Sequence, residues 1–147
     1  MKSLNIITKI TLLPIIFIFI ILFSCKKDKE DLVPYVYVDF PIYLNEPGFS
    51  DLNAVGNSVT VTGGVSGIVI YRASQDEFVA IERCCSYFPS DRCPVEVELS
   101  GVSLICKCCN SKFSIYDGTV MRQPASRGLT LYKVEYNQAN NSLHVTN

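Results

Sequence analysis

Phe78-Val79-Ala80-Ile81-Glu82-Arg83-Cys84-Cys85-Ser86-Tyr87 and, further along, Cys106-Lys107-Cys108-Cys109-Asn110-Ser111-Lys112-Phe113 carry the reading of this chain. The first is a run of apolar, β-branched and aromatic residues that ends in adjacent cysteines. The second holds a C-x-x-C from Cys106 to Cys109 and runs into an aromatic residue. Two thiolates at that spacing turn inward from a tight knuckle and hold one metal ion or one edge of a cluster. Cys84 to Tyr87 supplies candidates for the remaining ligands. Between the two stretches, Pro94 to Leu99 alternates as a strand does, Ser100-Gly101 turns the chain, and Val102 to Ile105 returns. That sets the two cysteine loops side by side at one end of a hairpin. Cys84, Cys85, Cys93, Cys106, Cys108 and Cys109 thus crowd into 26 residues. Read as a disulfide framework, six cysteines allow 15 connectivities; a bond between neighbours such as Cys84 and Cys85 is disfavoured by geometry.

Outward from these loops the chain reads as short strands between turns. Tyr35 to Phe40 is bounded by Pro34 and Pro41, which confine it to an edge or a strand end. Ile42 to Leu44 continues in extended form, Asn45 to Gly48 turns, and Phe49 to Ala54 makes one short helical turn. Asn57 to Thr62 and Ile68 to Arg72 flank a turn at Gly63-Gly64-Val65-Ser66-Gly67. Those glycines are not a phosphate loop, which needs a following helix and usually a Lys; β-branched residues follow instead. Beyond the second cysteine loop, Phe113 to Tyr116 precedes an Asp117-Gly118 turn and Thr119 to Met121. Leu129 to Tyr136 alternates, and Ser142 to Val145 closes the chain after a turn at 137–141. Many short strands without helical periodicity imply an all-β sandwich or barrel. No internal repeat or second domain is visible.

The order of these parts resembles a Rieske iron–sulfur domain. Phe78 to Tyr87 is similar to the first cluster-binding box, a strand followed by Cys-Thr-His. Cys106 to Phe113 is similar to the second box, Cys-Pro-Cys-His-Gly-Ser and an aromatic. Asp117-Gly118-Thr119-Val120 resembles the turn after that box, Gln123-Pro124-Ala125 the proline loop over the cluster, and Leu129 to Val134 the penultimate strand. The resemblance spans roughly Val59 to Val145. It implies an antiparallel β-sandwich with a small zinc-ribbon-like cysteine-loop subdomain at about 84–116. It also implies Cys85 and Cys106 as cysteine ligands and a Cys93–Cys108 disulfide tying the two loops. Closing a loop of that length stabilises by roughly 3 kcal/mol in the chain-entropy model. The departures are specific: Tyr87 and Cys109 stand where the two histidine ligands belong, and the single histidine, His144, lies on the last strand.

Three occupancies follow for such a site. Cys85, Cys106 and Cys109, with Cys84 or Tyr87 as fourth ligand, hold a 2Fe-2S cluster. The same thiolates hold Zn2+. Or the cysteines pair as disulfides around no metal. The leading function is a Rieske- or ferredoxin-like electron-transfer module that passes electrons to a redox protein partner and catalyses nothing alone. The alternative is a disulfide-stabilised or zinc-bound lipoprotein of the same fold with a binding or structural role. Ser86, Asp91 and Ser111 do not make a hydrolase, because no histidine base lies near them. No small-molecule substrate is indicated. A formal net charge of −1 gives no reason to expect a nucleic-acid partner. Arg83, Lys107, Lys112 and Arg122 would ring the loops, as solvated charges or as a steering surface for an acidic partner.

The N-terminus explains the high apolar content of 48%. Lys2 and Lys9 precede a short apolar run from Ile10 to Phe23, and Leu22-Phe23-Ser24-Cys25 closes it. This pattern is that of a secretory leader over residues 1–24, and its end resembles a bacterial lipobox, with Cys25 lipid-modified. The run is too short for an unambiguous membrane-spanning helix. Residues 25–34, rich in charge from Lys26 to Asp31, form a tether to a domain over 35–147. Acidic residues just after the lipobox cysteine resemble the surface-export signal of Bacteroidota lipoproteins. The expected address is the cell envelope, with the chain held to a membrane, the outer one first, through its lipid and facing the periplasm or the surface. Without Lys2 and Lys9, 11 basic residues face 14 acidic ones, a mature net charge of −3.

Overall fold

The computed structural model describes residues 32–147. The leader, Cys25 and the charged run up to Asp31 lie outside the described residues. Among the described residues, ten strands form two antiparallel sheets. The first has the order β1-β10-β9-β4-β3-β2, built from β1 (Asp39–Tyr43), β2 (Ser58–Val61), β3 (Ile68–Arg72), β4 (Phe78–Glu82), β9 (Leu131–Asn137) and β10 (Ser142–Thr146). The second has the order β5-β6-β7-β8, from β5 (Val95–Val97), β6 (Ser103–Cys106), β7 (Lys112–Ser114) and β8 (Val120–Arg122). The small sheet therefore runs past residue 116 to Arg122. The short helical turn expected at Phe49 is a 3-10 turn over Pro47–Asn53.

Strand β3 is buried along Ile68 to Tyr71 on both of its faces. Because successive side chains point to opposite sides, it serves two cores. Ile68 and Ile70 pack with Ile42, Leu44, Leu52, Ala80, Leu143 and Val145 in the body of the large sheet. Val69 and Tyr71 pack with Ile81, Leu104, Phe113, Ile115 and Leu129 toward the small sheet, in a cluster that also contains Cys85, Cys93 and Cys106. Each fully buried Ile, Leu or Phe contributes on the order of 1.5–3 kcal/mol.

One boundary differs from the sequence reading. The strand expected over Tyr35 to Phe40 begins only at Asp39 and extends to Tyr43. Its partner explains the shift: β1 pairs with β10 from Asp39↔Thr146 to Tyr43↔Ser142, and β10 itself ends at Thr146. Before Asp39 the ladder gives way to single bonds, Asn147 N–H donating to Val38 O at 3.2 Å. Val38 N–H instead donates to the Asn147 side chain at 2.6 Å. Pro41 sits inside β1, opposite His144; this is tolerated because β1 is a sheet edge.

An unforeseen element locks the turn between β2 and β3. Glu82, fully buried at the end of β4, accepts hydrogen bonds from Val65 N–H at 2.7 Å, Ser66 N–H at 2.9 Å, Cys84 N–H at 2.8 Å and the Tyr132 hydroxyl at 2.7 Å. Burial and the bond to Glu82 push the Tyr132 phenol well above its ordinary range. Gly64 adopts φ +59°, and a Cβ there would lie 2.0 Å from Glu82 Oε2. The glycine is required both by its conformation and by the approach of the carboxylate.

Candidate metal centre

Three loops meet at the end of the small sheet. The first leaves β4 and is closed at its base as a hairpin: Val95 N–H donates to Arg83 O at 2.7 Å, Cys84 bridges Pro94, and Cys85 N–H donates to Cys93 O at 2.9 Å. The second, Cys106 to Ser111, is a closed knuckle. Cys106 N–H donates to Ser111 O at 3.0 Å, and Asn110 N–H to Cys106 O at 2.8 Å. The knuckle requires φ +63° at Asn110, and asparagine tolerates that region better than most residues with a Cβ. The third loop carries Pro124 and Ala125. Two serines tie the loops together: Ala125 N–H donates to Ser111 Oγ at 2.8 Å, and Ser86 Oγ donates to Arg127 O at 2.6 Å.

The sulfurs of Cys85, Cys106 and Cys109 all lie within 4.8 Å of one another. Cys85 and Cys109 are 3.6 Å apart. With metal–sulfur bonds of about 2.3 Å, two thiolates on one tetrahedral ion stand about 3.8 Å apart, so this pair has the spacing of one tetrahedral edge. A cavity of about 230 Å³ opens beside them, lined also by Tyr87, Phe88, Asp91 and Pro124. Cys93 and Cys108 are joined as a disulfide, while Cys84, Cys85, Cys106 and Cys109 are free thiols. The described cysteines thus carry one disulfide rather than three.

The two residues expected to compete as fourth ligand are placed differently. Cys84 lies outside the sulfur cluster; its thiol donates to Pro89 O at 3.5 Å. Adjacent residues in extended chain face opposite ways, so Cys84 turns from the cavity that Cys85 enters. Tyr87 lines the cavity, its ring 4.2 Å from that of Phe88. His144 pairs with Asp39 at 2.7 Å on the β1–β10 edge of the other sheet. The four cations around the loops all make local contacts. Lys112 meets Glu98 at 2.6 Å, Lys107 meets Glu96 at 3.6 Å, Arg83 donates to Val95 O and Arg122 to Asn110 O.

The thiols differ in acidity. Burial pushes Cys85 well above the ordinary thiol range, opposed only in part by the Tyr87 N–H. Burial also raises Cys109, but hydrogen bonds from the Ser111 hydroxyl and amide and from the neighbouring thiols outweigh it, leaving Cys109 below its ordinary value. Ser111 Oγ, 3.2 Å from Cys109 Sγ, already accepts from Ala125, so its own proton is free to turn to a thiolate. Ser111→Ala is therefore expected to move the pH profile of Cys109 alkylation in the metal-free protein to higher pH. It should also cost about 1–3 kcal/mol through the orphaned Ala125 amide. Mass-spectrometric alkylation profiles and denaturant titration read the two effects, and an unmoved profile would remove Ser111 from the thiolate's environment.

An all-β pair of sheets with two cysteine loops cross-linked by a disulfide and a proline loop against them defines a Rieske-like domain. No family model matches the sequence, and no curated protein matches it. Among solved structures, the plasma-membrane Rieske protein PetC3 of the cyanobacterium Synechocystis superposes with a TM-score of 0.54 at 19% identity, covering 77% of this chain and all of that one. The ferredoxin of carbazole 1,9a-dioxygenase from Nocardioides aromaticivorans matches more loosely (TM-score 0.45, 14% identity, 63% of this chain and 86% of that one). So does a chain from a complex of reduced oxygenase and oxidised ferredoxin in carbazole 1,9a-dioxygenase (TM-score 0.46, 22% identity, 63% and 82%).

Rieske centres hold a 2Fe-2S group through two cysteine and two histidine ligands. The residues here do not fit that ligation, since no histidine lines the cavity. Three thiols within mutual reach do fit a thiolate-held metal.

Proposed function

We propose that this domain is an electron-transfer module whose metal is held by Cys85, Cys106 and Cys109, and that a lipid on Cys25 tethers it in the bacterial envelope. The observation that carries the reading is the 4.8 Å cluster of three sulfurs in a fold whose solved counterpart is a Rieske protein. Bound iron would supply one-electron chemistry. The chain's own contribution is to present soft anionic ligands from two cross-linked loops and to shield them behind Pro124 and Phe88. Thiolates in place of imidazoles add negative charge and disfavour reduction. A 2Fe-2S form would then sit near about −400 mV rather than at roughly −150 to +300 mV. The partner is a redox protein that docks over the loops, and the domain performs no catalysis itself.

A second reading has its own support. The 3.6 Å separation of Cys85 and Cys109 is the edge of a single tetrahedral ion, which favours Zn2+ in a structural site.

Anaerobic purification of the full chain, with iron, sulfide and zinc assayed beside the visible spectrum, decides between them. Iron with sulfur-to-iron charge-transfer bands is the expected result. Zinc without iron would transfer the site to the second reading, and metal-free protein lacking free thiols would end both. For the tether, Cys25→Ser is expected to move the protein out of the membrane fraction.

A further inference from the structure

We propose that reduction of the Cys93–Cys108 disulfide completes a four-thiolate site for a soft tetrahedral cation, with Cys93 joining Cys85, Cys106 and Cys109. This rests on the three-thiolate reading above and adds the ligand that reading lacks.

The three thiolates fill three corners of a tetrahedron. A soft ion prefers sulfur to a phenol oxygen at the fourth, and Cys84 is turned toward Pro89. Cys93 is buried in the wall of the same cavity. Its sulfur is 3.8 Å from Cys106 Sγ, which is the spacing of about 3.8 Å that two thiolates on one tetrahedral ion adopt. Cys93, Cys106 and Cys108 form a second sulfur cluster within 4.8 Å that shares Cys106 with the first. While bonded to Cys108, the Cys93 sulfur is not within that reach of Cys85 and Cys109 together. Cys93 O accepts from Cys85 N–H at 2.9 Å, so the backbones that carry these two sulfurs are already paired. Freed from Cys108, the side chain can turn about its Cα–Cβ bond toward Cys85 and Cys109, which line the same cavity. Cys108 is exposed where Cys93 is buried, which favours Cys93 as the sulfur enclosed with the ion.

The chemistry balances with a dithiol as reductant. The Cys93–Cys108 bond and two reductant thiols exchange to give two protein thiols and one reductant disulfide. The cation then displaces the protons of the thiols it binds into solvent. Affinity therefore rises on reduction, and the disulfide gates the site.

The test uses Co2+ as the spectroscopic probe and Zn2+ as its competitor, on the anaerobic full chain. Oxidised wild type, wild type reduced with dithiothreitol and desalted, Cys108→Ser and Cys93→Ser are compared. Both variants lose the same cross-link, so any general loosening affects them equally. They differ only in which sulfur remains. Reduced wild type and Cys108→Ser should show tetrathiolate cobalt bands and bind Zn2+ at least about tenfold more tightly than Cys93→Ser. Identical spectra and affinities for the two variants would overturn the fourth ligand while leaving the three-thiolate site intact if oxidised wild type still binds Co2+. Absence of cobalt binding in all four proteins would overturn both.

Discussion

Glu82→Ala is expected to destabilise the domain by about 4 kcal/mol, because it leaves three amides and a tyrosine hydroxyl without their acceptor inside the protein. The carboxylate is fully buried and receives Val65, Ser66 and Cys84 N–H together with the Tyr132 hydroxyl. Set against a typical total of about 5–15 kcal/mol, this is a large fraction of the stability. For a domain of this size it corresponds to a fall in Tm of more than about 10 °C. Glu82→Gln should be nearly as harmful, since its amide nitrogen would meet donors rather than acceptors. Gly64→Ala should act on the same lock from the opposite side, because its Cβ would fall 2.0 Å from Glu82 Oε2. Thermal and denaturant melts of the three variants measure this. A Glu82→Ala protein within about 1 kcal/mol of wild type would show that water replaces the carboxylate at little cost.

Cys106→Ser is expected to lower metal affinity by at least about 100-fold, more than a typical loss of an outer-shell partner. Cys106 is the sulfur common to both sulfur clusters. It is almost fully buried, and its backbone is fixed by the end of β6 and by the bond to Ser111 O. Its serine replacement keeps the size and loses the soft donor. Cys84→Ser, one residue from a proposed ligand but facing Pro89 O, should bind metal as wild type does, since a hydroxyl can make the same hydrogen bond. Tyr87→Phe separates the phenol from the thiols as the occupant of the fourth corner in the oxidised protein. Competition titrations under anaerobic conditions give all three affinities. A Cys106→Ser protein that holds metal as tightly as Cys84→Ser would remove Cys106 from the ligand set.

Much of this was legible in the residues because the signals are local. Short β-branched and aromatic runs bounded by turns, such as Phe78–Glu82 and Ile68–Arg72, became strands at the expected positions. The Ser100-Gly101 turn set β5 against β6, with Val95 opposite Cys106, and so brought the two cysteine loops together. The Cys93–Cys108 bond came from the likeness of the two boxes to Rieske domains, since spacing alone leaves 15 connectivities open. What could not be read was non-local. The acceptor role of Glu82 depends on a turn sixteen residues earlier and on Tyr132, fifty residues later. Its only sequence signal was a carboxylate closing an otherwise apolar strand run. The start of β1 depended on where β10 ends. The different placement of Cys84 and Tyr87 follows from the strand-like bridge between Cys84 and Pro94, which fixes the sides to which neighbouring side chains point.

The two-faced burial of Ile68 to Tyr71 bears on how the molecule comes apart. A strand whose one side belongs to the thiol-bearing end and whose other side belongs to the body cannot leave either without exposing both. The two ends should therefore melt as a single cooperative unit. Occupation of the sulfur cluster would then slow hydrogen exchange at the amides of β10, whose Leu143 and Val145 pack in the other core, by the same factor as at β6.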